Sequence, residues 1–254
     1  MKKNLILLFA ILCLSPSIAQ TETIHVFVAL CDNVNQGIVP VPKSLGNGQD
    51  PRSNLYWGAA YGFKTYFKNK TKDWILIKVI ESNDNNILER VLFKHATKNV
   101  YMLADAYDGA KIKKCIEDFL KVSNGQNSQI VKVGSEDLSF GGESDLVAYL
   151  GHDGLMDFEV NVDYPVPKKN DKEAIILACY SKEFFKNELK SAQAKPLLWT
   201  THLMAPEAYT LKAAIDGWLQ KETDLQIEER AAVQYNKYQK CGLKGARNLF
   251  TTGY

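Results

Sequence analysis

Short apolar runs alternate with polar segments along most of the chain, and the polar segments are rich in Gly, Asn and Pro. Short apolar runs that contain β-branched side chains predict buried strands. Strands are predicted at residues 24–30, 73–80, 88–95, 100–106, 130–133, 145–150, 173–177 and 196–201. In residues 88–95, Glu89, Arg90 and Lys94 interrupt the apolar residues, which favours an edge strand, an antiparallel strand or a hairpin with its neighbour.

Apolar residues recur at helical spacing between these strands. The segment 110–122 is the clearest case, because Ile112, Cys115, Ile116 and Phe119 fall on one face. Helices are also predicted at residues 55–67, 182–191, 207–221 and 226–240, with Pro206 suited to a first helical position. Residues 134–144 are predicted to be a loop, and the tail from residue 242 has no firm pattern. Strands that alternate with helices predict an α/β fold of one domain, with a mostly parallel sheet and helices on both faces.

The first residues have the pattern of a secretory signal peptide. Lys2 and Lys3 precede an apolar run at residues 5–14, and small residues, Ser17 and Ala19, occupy both recognition positions. The run is too short to span a bilayer comfortably, and the bulky residues before Cys13 match a lipoprotein site poorly. We therefore expect cleavage after Ala19 and an exported domain of residues 20–254 that keeps no membrane segment.

Charge excludes some partners for this domain. The sequence has 31 basic and 29 acidic residues, and the predicted signal peptide contains two of the basic ones, so the mature chain is formally neutral. Neutrality without a dense Lys/Arg run argues against nucleic acid or an acidic membrane surface as the main partner. The mature chain is also long enough to bury a substantial core.

Four cysteines remain after the predicted cleavage: Cys31, Cys115, Cys179 and Cys241. Their wide spacing does not fit a disulfide framework, and no Cys-x-x-Cys pair or Cys/His cluster suggests zinc. Cys115 and Cys241 are predicted to be small packing residues. The sequence contains no Gly-x-Ser-x-Gly, P-loop or Gly-x-Gly-x-x-Gly motif, which argues against serine-hydrolase, nucleotide and dinucleotide sites. No cofactor is expected.

Two predicted strands each end in a reactive side chain. His152 follows residues 145–150 in the segment Gly151-His152-Asp153-Gly154, and Cys179 lies between residues 173–177 and a predicted helix. Because chemistry in parallel sheets collects beyond the carboxyl ends of the strands, the two side chains are candidates for base and nucleophile. Free N–H groups at the helix start would favour the thiolate and an oxyanion. His202, at another strand end, is the rival base.

These segments resemble the caspase–legumain–gingipain group of cysteine peptidases. Ala178-Cys179-Tyr180-Ser181 resembles the legumain-type Ala-Cys-x-Ser-Gly segment, and residues 150–156 resemble the strand-His-Gly segment that precedes it. Paired threonines, Thr200 and Thr201, end a strand before a helix, as in legumains. The similarity extends in element order over residues 24–220. It implies a caspase-like three-layer sandwich and a cysteine peptidase that acts on a peptide or protein substrate.

Within this resemblance, Cys179 is the implied nucleophile and His152 the implied proton donor and acceptor. Backbone N–H groups near Gly154 and Cys179 would hold the oxyanion, and Asn33, after the first strand, would assist the histidine. Asp153 or Asp157 would orient His152 or bind a basic substrate side chain.

The sequence departs from the family at two positions, and these departures leave alternatives open. Asp153 and Lys182 stand where the family has glycine, and the spacing from His152 to Cys179 is short. A non-catalytic binding or scaffolding protein of the same fold is therefore one alternative, and an unrelated α/β protein is another. The long segment of residues 31–54 leaves the first strand where a binding cleft is expected, so it is either functional or a surface loop.

Overall fold

Most of the molecule is built around one mixed β-sheet. The computed structural model describes residues 21–166 and 172–254, so the predicted signal peptide lies outside the described residues. The sheet contains, in chain order, β1 (Glu22–Ala29), β2 (Trp74–Ile80), β3 (Ile87–His95), β4 (Val100–Tyr107), β7 (Leu146–Leu150), β8 (Glu173–Leu177), β9 (Lys195–Thr200) and β10 (Phe250–Thr251). Their spatial order is β10-β9-β8-β7-β1-β4-β3-β2. The five strands from β9 to β4 are parallel, and β2, β3 and β10 are antiparallel to their neighbours.

Helices cover both faces of this sheet, which confirms the predicted α/β class. They are α1 (Phe63–Asn69), α2 (Ile112–Ser123), α3 (Ser181–Ser191), α4 (Ala208–Leu219), α5 (Asp224–Gln239) and α6 (Leu243–Leu249). The core on one face contains side chains of α1, α4, α5 and α6, and the core on the other contains those of α2 and α3. A separate hairpin, β5 (Gln129–Val133) with β6 (Glu136–Phe140), packs on β3 and β4 on the side of α2 and α3.

The apolar run of β1 is explained by the helices that cover both faces of the sheet at this strand. Ile24, Val26 and Val28 enter the core under α1, α4 and α5, whereas Phe27 and Ala29 enter the core under α2 and α3. Side chains alternate between faces along a strand, so a strand that is covered on both faces must be apolar at successive positions. The same condition holds for β7, whose five residues are all buried.

Several local predictions are wrong. Residues 134–144 contain a strand, β6, in which only Leu138 and Phe140 are buried, so its apolar signal is weak. For residues 88–95, the antiparallel alternative is confirmed, because β3 is antiparallel to both β2 and β4, and only the edge alternative is wrong, because β2 lies at the edge of the sheet. Residues 55–62 form turns, and the helix begins only at Phe63. Pro206 precedes the cap of α4 and is not helical.

The strand order creates a switch point between β1 and β7. The chain passes from β1 to one side of the sheet, towards β4, and from β7 to the other side, towards β8. In open α/β sheets, the crevice beyond the carboxyl ends of two such strands is the usual location of a ligand site. Here that crevice is bordered by the segments that begin at Leu30 and Gly151.

Candidate functional site

Strand pairing places the segments that contain His152 and Cys179 after neighbouring strand ends. Strands β7 and β8 are parallel and in register, with Leu150 opposite Leu177 at their ends. The alignment continues for one more step, because the N–H of Gly151 donates to the carbonyl of Leu177 at 3.3 Å. His152 and Cys179 each lie two residues beyond this last pair. The predicted base and nucleophile therefore follow neighbouring strands at the same edge of the sheet.

Cys179 lies in a sharp turn between β8 and α3. Tyr180 has a left-handed backbone with φ of +50°, and α3 begins at the next residue, Ser181. The buried Ser181 hydroxyl donates to the carbonyl of Ile176 at 2.9 Å and accepts from the N–H of Thr200 at 2.9 Å. The Thr200 hydroxyl donates to the carbonyl of Ala178. These bonds fix both sides of the turn, so the position of the thiol is determined by buried partners.

The Cys179 thiol is half-buried and hydrogen-bonded to the backbone of the segment after β9. Sγ lies 3.6 Å from the carbonyl oxygen of Met204 and 3.4 Å from its N–H nitrogen. Burial raises the pKa of this thiol above its ordinary value. The backbone hydrogen bond from Met204 lowers the pKa, and the charge of Asp153 raises it. A raised pKa disfavours the thiolate, which is the nucleophilic form of cysteine.

His152 is paired with Asp157, one of the two carboxylates expected to orient it. Its Nε2 lies 2.6 Å from Asp157 Oδ2, and its backbone carbonyl accepts the hydroxyl of Tyr149 at 2.7 Å. A carboxylate partner at Nε2 keeps the proton of a neutral imidazole on that atom. Nδ1 then holds the lone pair, so this pairing leaves Nδ1 as the ring atom that accepts a proton.

Asp153 points into the protein and is fully buried. Its Oδ1 accepts the N–H of Leu155 at 3.0 Å, which caps a short 3-10 helix of Gly154–Met156. Oδ2 is buried and has no hydrogen-bond partner among the described residues. Burial is the main cause that raises the pKa of this carboxyl to about 7.

The structure assigns Gly154 and Asn33 local structural contacts. A Cβ atom on Gly154 would meet the Phe158 ring at 2.5 Å, so glycine is required for this close packing. The amide of Asn33 donates to the carbonyl of Val41 at 2.8 Å and accepts its N–H at 3.0 Å. These bonds join two parts of the loop that follows β1, and among the described residues the Asn33 amide forms no hydrogen bond with His152.

The loop of residues 31–54 is folded closely against the strand ends. Asn54 is fully buried. Its amide oxygen accepts the N–H of Cys31 at 3.0 Å, and its amide nitrogen donates to the carbonyl of Cys31 at 2.8 Å. The Asp32 carboxylate accepts the N–H groups of Val34 and Asn35. Burial alone would raise the pKa of Asp32, but its several hydrogen bonds outweigh burial and lower it. This segment is a packed wall of the crevice.

Cys31 and Cys179 do not form a disulfide, and the four cysteines among the described residues are free thiols. Cys31 is fully buried beside Tyr56, and burial raises the pKa of its thiol to about 11, against a lowering by the Tyr56 hydroxyl. Cys115 is buried in the core under α2 and α3, as predicted. Cys241 is exposed, so the prediction that it packs in the core is wrong.

The other histidines have contacts of their own. His202 is exposed, and its Nδ1 lies 2.7 Å from the hydroxyl of Thr201. His25 pairs with Asp105 inside the sheet at 3.0 Å. His95 accepts the backbone N–H groups of Thr97 and Lys98 with Nδ1.

Sequence reasoning missed two contributors to this region. Tyr56 is buried and hydrogen-bonds the Cys31 thiol, and the charges of Cys31 and Cys179 raise its pKa in addition to burial. Met204 contributes only its backbone, which leaves no trace in side-chain patterns. The aromatic run around Tyr56 was the only available signal.

Comparison with known families, with curated protein sequences and with solved structures finds no match to this chain. Across residues 21–166 and 172–254, no helix combines the length and apolar character needed to cross a membrane. Within the same residues, no three His, Cys, Asp or Glu side chains are grouped so as to hold a metal ion.

Proposed function

We propose that this protein is an exported thiol hydrolase of caspase-like fold that cleaves a peptide or related amide bond. The observation that carries the proposal is the register of β7 and β8, which aligns His152 with Cys179 beyond the carboxyl ends of the strands. The location next to the switch point between β1 and β7 supports it further. The order β4-β1-β7-β8-β9, with the histidine and the cysteine after adjacent strands, agrees with the caspase-like resemblance.

The chemistry would proceed through a covalent intermediate. Cys179 Sγ attacks the substrate carbonyl carbon as Nδ1 of His152 takes the thiol proton, and the imidazolium then protonates the leaving amine. Water hydrolyses the resulting thioester, which releases the acid and regenerates the thiol. Asp157, bound to Nε2, stabilises the imidazolium and its orientation. Backbone N–H groups near Gly154 and Cys179 are proposed to hold the oxyanion.

Substrate binding must also free the thiol. Sγ is bonded to Met204 on the segment after β9, so a peptide that enters the crevice would have to displace this segment or draw the thiol away from it. The loop of residues 31–54 and the segments after Asp153 and Thr201 surround the same strand ends. We propose that these three segments determine substrate preference.

The test is cleavage of a mixed peptide library by residues 20–254, with products identified by mass spectrometry. We expect cleavage that Cys179→Ala abolishes and that His152→Ala reduces by at least a hundredfold. Cys241→Ala is the matched control, because this exposed cysteine should leave cleavage unchanged. Cleavage that survives Cys179→Ala would overturn the assignment of the nucleophile.

A second candidate function is binding without chemistry on the same fold. It is favoured by the resting state of Cys179, whose thiol is occupied by Met204 and disfavoured as a thiolate by burial. In that case no peptide is cleaved, and iodoacetamide labels Cys179 no faster than a free thiol, with the same rate in His152→Ala. Fast, selective labelling that depends on His152 would instead support the hydrolase.

A further inference from the structure

Asp153 is a buried carboxyl group that the proposed chemistry does not use. Its side chain is fully buried, and Oδ2 has neither a hydrogen-bond partner nor solvent contact. Among the described residues, no Lys, Arg or His nitrogen lies within the 4.0 Å of a salt bridge to it. A carboxylate that is buried without a partner is costly, so the group is favoured in its neutral, protonated form.

Asp153 follows the central one of three adjacent strands. By the register of β1 with β7, it lies as far beyond Leu150 as Cys31 lies beyond Val28. On the other side, Cys179 follows β8. The charge of Asp153 acts on Cys179 and on Tyr149, and the charge of Asp157 acts on Asp153 in turn. The ionisable groups that interact with it therefore include a thiol, a phenol and a carboxylate, with the His152 ring adjacent in the chain.

We propose that Asp153 controls the reactivity of Cys179. While the Asp153 carboxyl is neutral, only burial opposes formation of the thiolate at Cys179. Once the carboxyl is ionised, its negative charge opposes the thiolate as well. No bond is made or broken in this control, and only a proton leaves Asp153 for solvent. Asp153 acts on Cys179 through its charge and does not touch the substrate. Its consequence for hydrolysis rests on the proposed function, but the coupling between carboxyl and thiol does not.

The effect should be measurable because Asp153 is fully buried and the Cys179 thiol is half-buried. Two charges in a low-dielectric interior interact several times more strongly than they do in water, and salt screens them little. The carboxyl also has a physiological range in which to change state, since its pKa is about 7. An oxygen that had a Lys or Arg partner would stay ionised at all these pH values and could not act as a switch.

The test is the rate at which iodoacetamide alkylates Cys179 between pH 5 and 10, followed by peptide mass spectrometry. In Asp153→Asn the pH profile should shift to lower pH, with alkylation at pH 8 about three- to tenfold faster than in the wild type. Cys241 provides an internal reference within each sample. Asp137→Asn, which removes an exposed carboxylate, should leave the profile in place. An unchanged profile in Asp153→Asn overturns the proposal.

A measurement on the unmodified protein covers the case in which Asp153→Asn folds poorly. Methanethiosulfonate reagents with a positive or a negative end group differ mainly in charge, so the ratio of their rates at Cys179 reports the local potential. We expect this ratio, normalised to Cys241, to rise several-fold in favour of the cationic reagent as pH passes 7. The rise should persist in His152→Ala, which removes the neighbouring imidazole. A flat ratio, or a rise that depends on His152, refutes control by Asp153. Both measurements remain informative if no peptide is cleaved.

Discussion

Asp105 and Asp153 are fully buried carboxyl groups of one molecule, and their surroundings are opposite. Asp105, on β4, is bonded by two nitrogens of Arg90, at 2.5 and 2.7 Å, and by His25 at 3.0 Å. Burial alone would raise its pKa, but these hydrogen bonds outweigh burial and hold the pKa below its ordinary value. Asp153 has backbone donors but no cation within salt-bridge distance among the described residues, so the same burial raises its pKa to about 7.

The difference separates a buried carboxylate that has charged partners from a buried carboxyl group that has none among the described residues. Burial of a charge is costly unless partners replace water, and Asp105 has those partners inside the sheet. Asp153 lies at the carboxyl edge of the sheet, where the chain leaves β7 and only the start of a 3-10 helix follows it. An uncompensated group at such an edge is typical of a functional site, because side chains there are arranged for ligands and not for the core.

The largest expected effect on stability comes from removing the partner of Asp105. Arg90→Ala leaves a buried carboxylate with only His25, and we expect it to lower the free energy of unfolding by about 3–5 kcal/mol. Urea denaturation at pH 7 measures it. Arg52→Ala is the control, since Arg52 pairs with Asp50 at the surface with its side chain 88% exposed, and it should leave stability nearly unchanged. Equal effects of the two substitutions would show that the ion pair in the sheet is not important.

A smaller effect, of opposite sign, is expected at Asp153. The folded pKa of about 7 lies above the ordinary 3.8, so the neutral group stabilises the fold at low pH and this contribution is lost as pH rises towards 7. Asp153→Asn keeps the cap to Leu155 without the charge. After the cost of a buried amide, we expect it to stabilise the protein by about 1–2 kcal/mol at pH 8 and not at pH 4.5.

Urea denaturation at the two pH values measures this difference, with Asp137→Asn as the exposed control. If Asp153→Asn destabilises the protein equally at both pH values, Asp153 is not a buried acid with a raised pKa, and the contrast with Asp105 fails.

The smallest effect on stability is expected at Asp157, whose side chain is 47% exposed. Asp157→Asn should change the free energy of unfolding by no more than about 0.5 kcal/mol. An amide opposite Nε2 no longer holds the imidazole proton there, so His152 loses its acceptor at Nδ1 and Cys179 should be alkylated at least about tenfold more slowly at pH 7. Thermal denaturation and the alkylation rate, measured on the same sample, separate the two effects. A stability loss without a change in rate would assign Asp157 to structure alone.

The sequence predicts strands and helices correctly where the local pattern of apolar residues matches the burial of the same residues in the fold. Glu173–Leu177 and the α3 helix are predicted almost residue for residue, because each lies in the core with a sharp change of polarity at its ends. The hairpin strand β6 alternates too weakly for a pattern to indicate it, and the turns before Phe63 resemble a helix in sequence because their aromatic residues have helical spacing.

The candidate site divides in the same way. The sequence determined that His152 and Cys179 end two apolar strands, because strand burial is a property of short runs of residues. Only the tertiary structure decided that these strands are neighbours in register, that Asp157 and not Asp153 bonds His152, and that Asp153 is buried without a partner. Two acidic positions four residues apart after the same strand, Asp153 and Asp157, look alike in sequence. Their roles differ because the packing around each determines which of them reaches a partner and which one loses water.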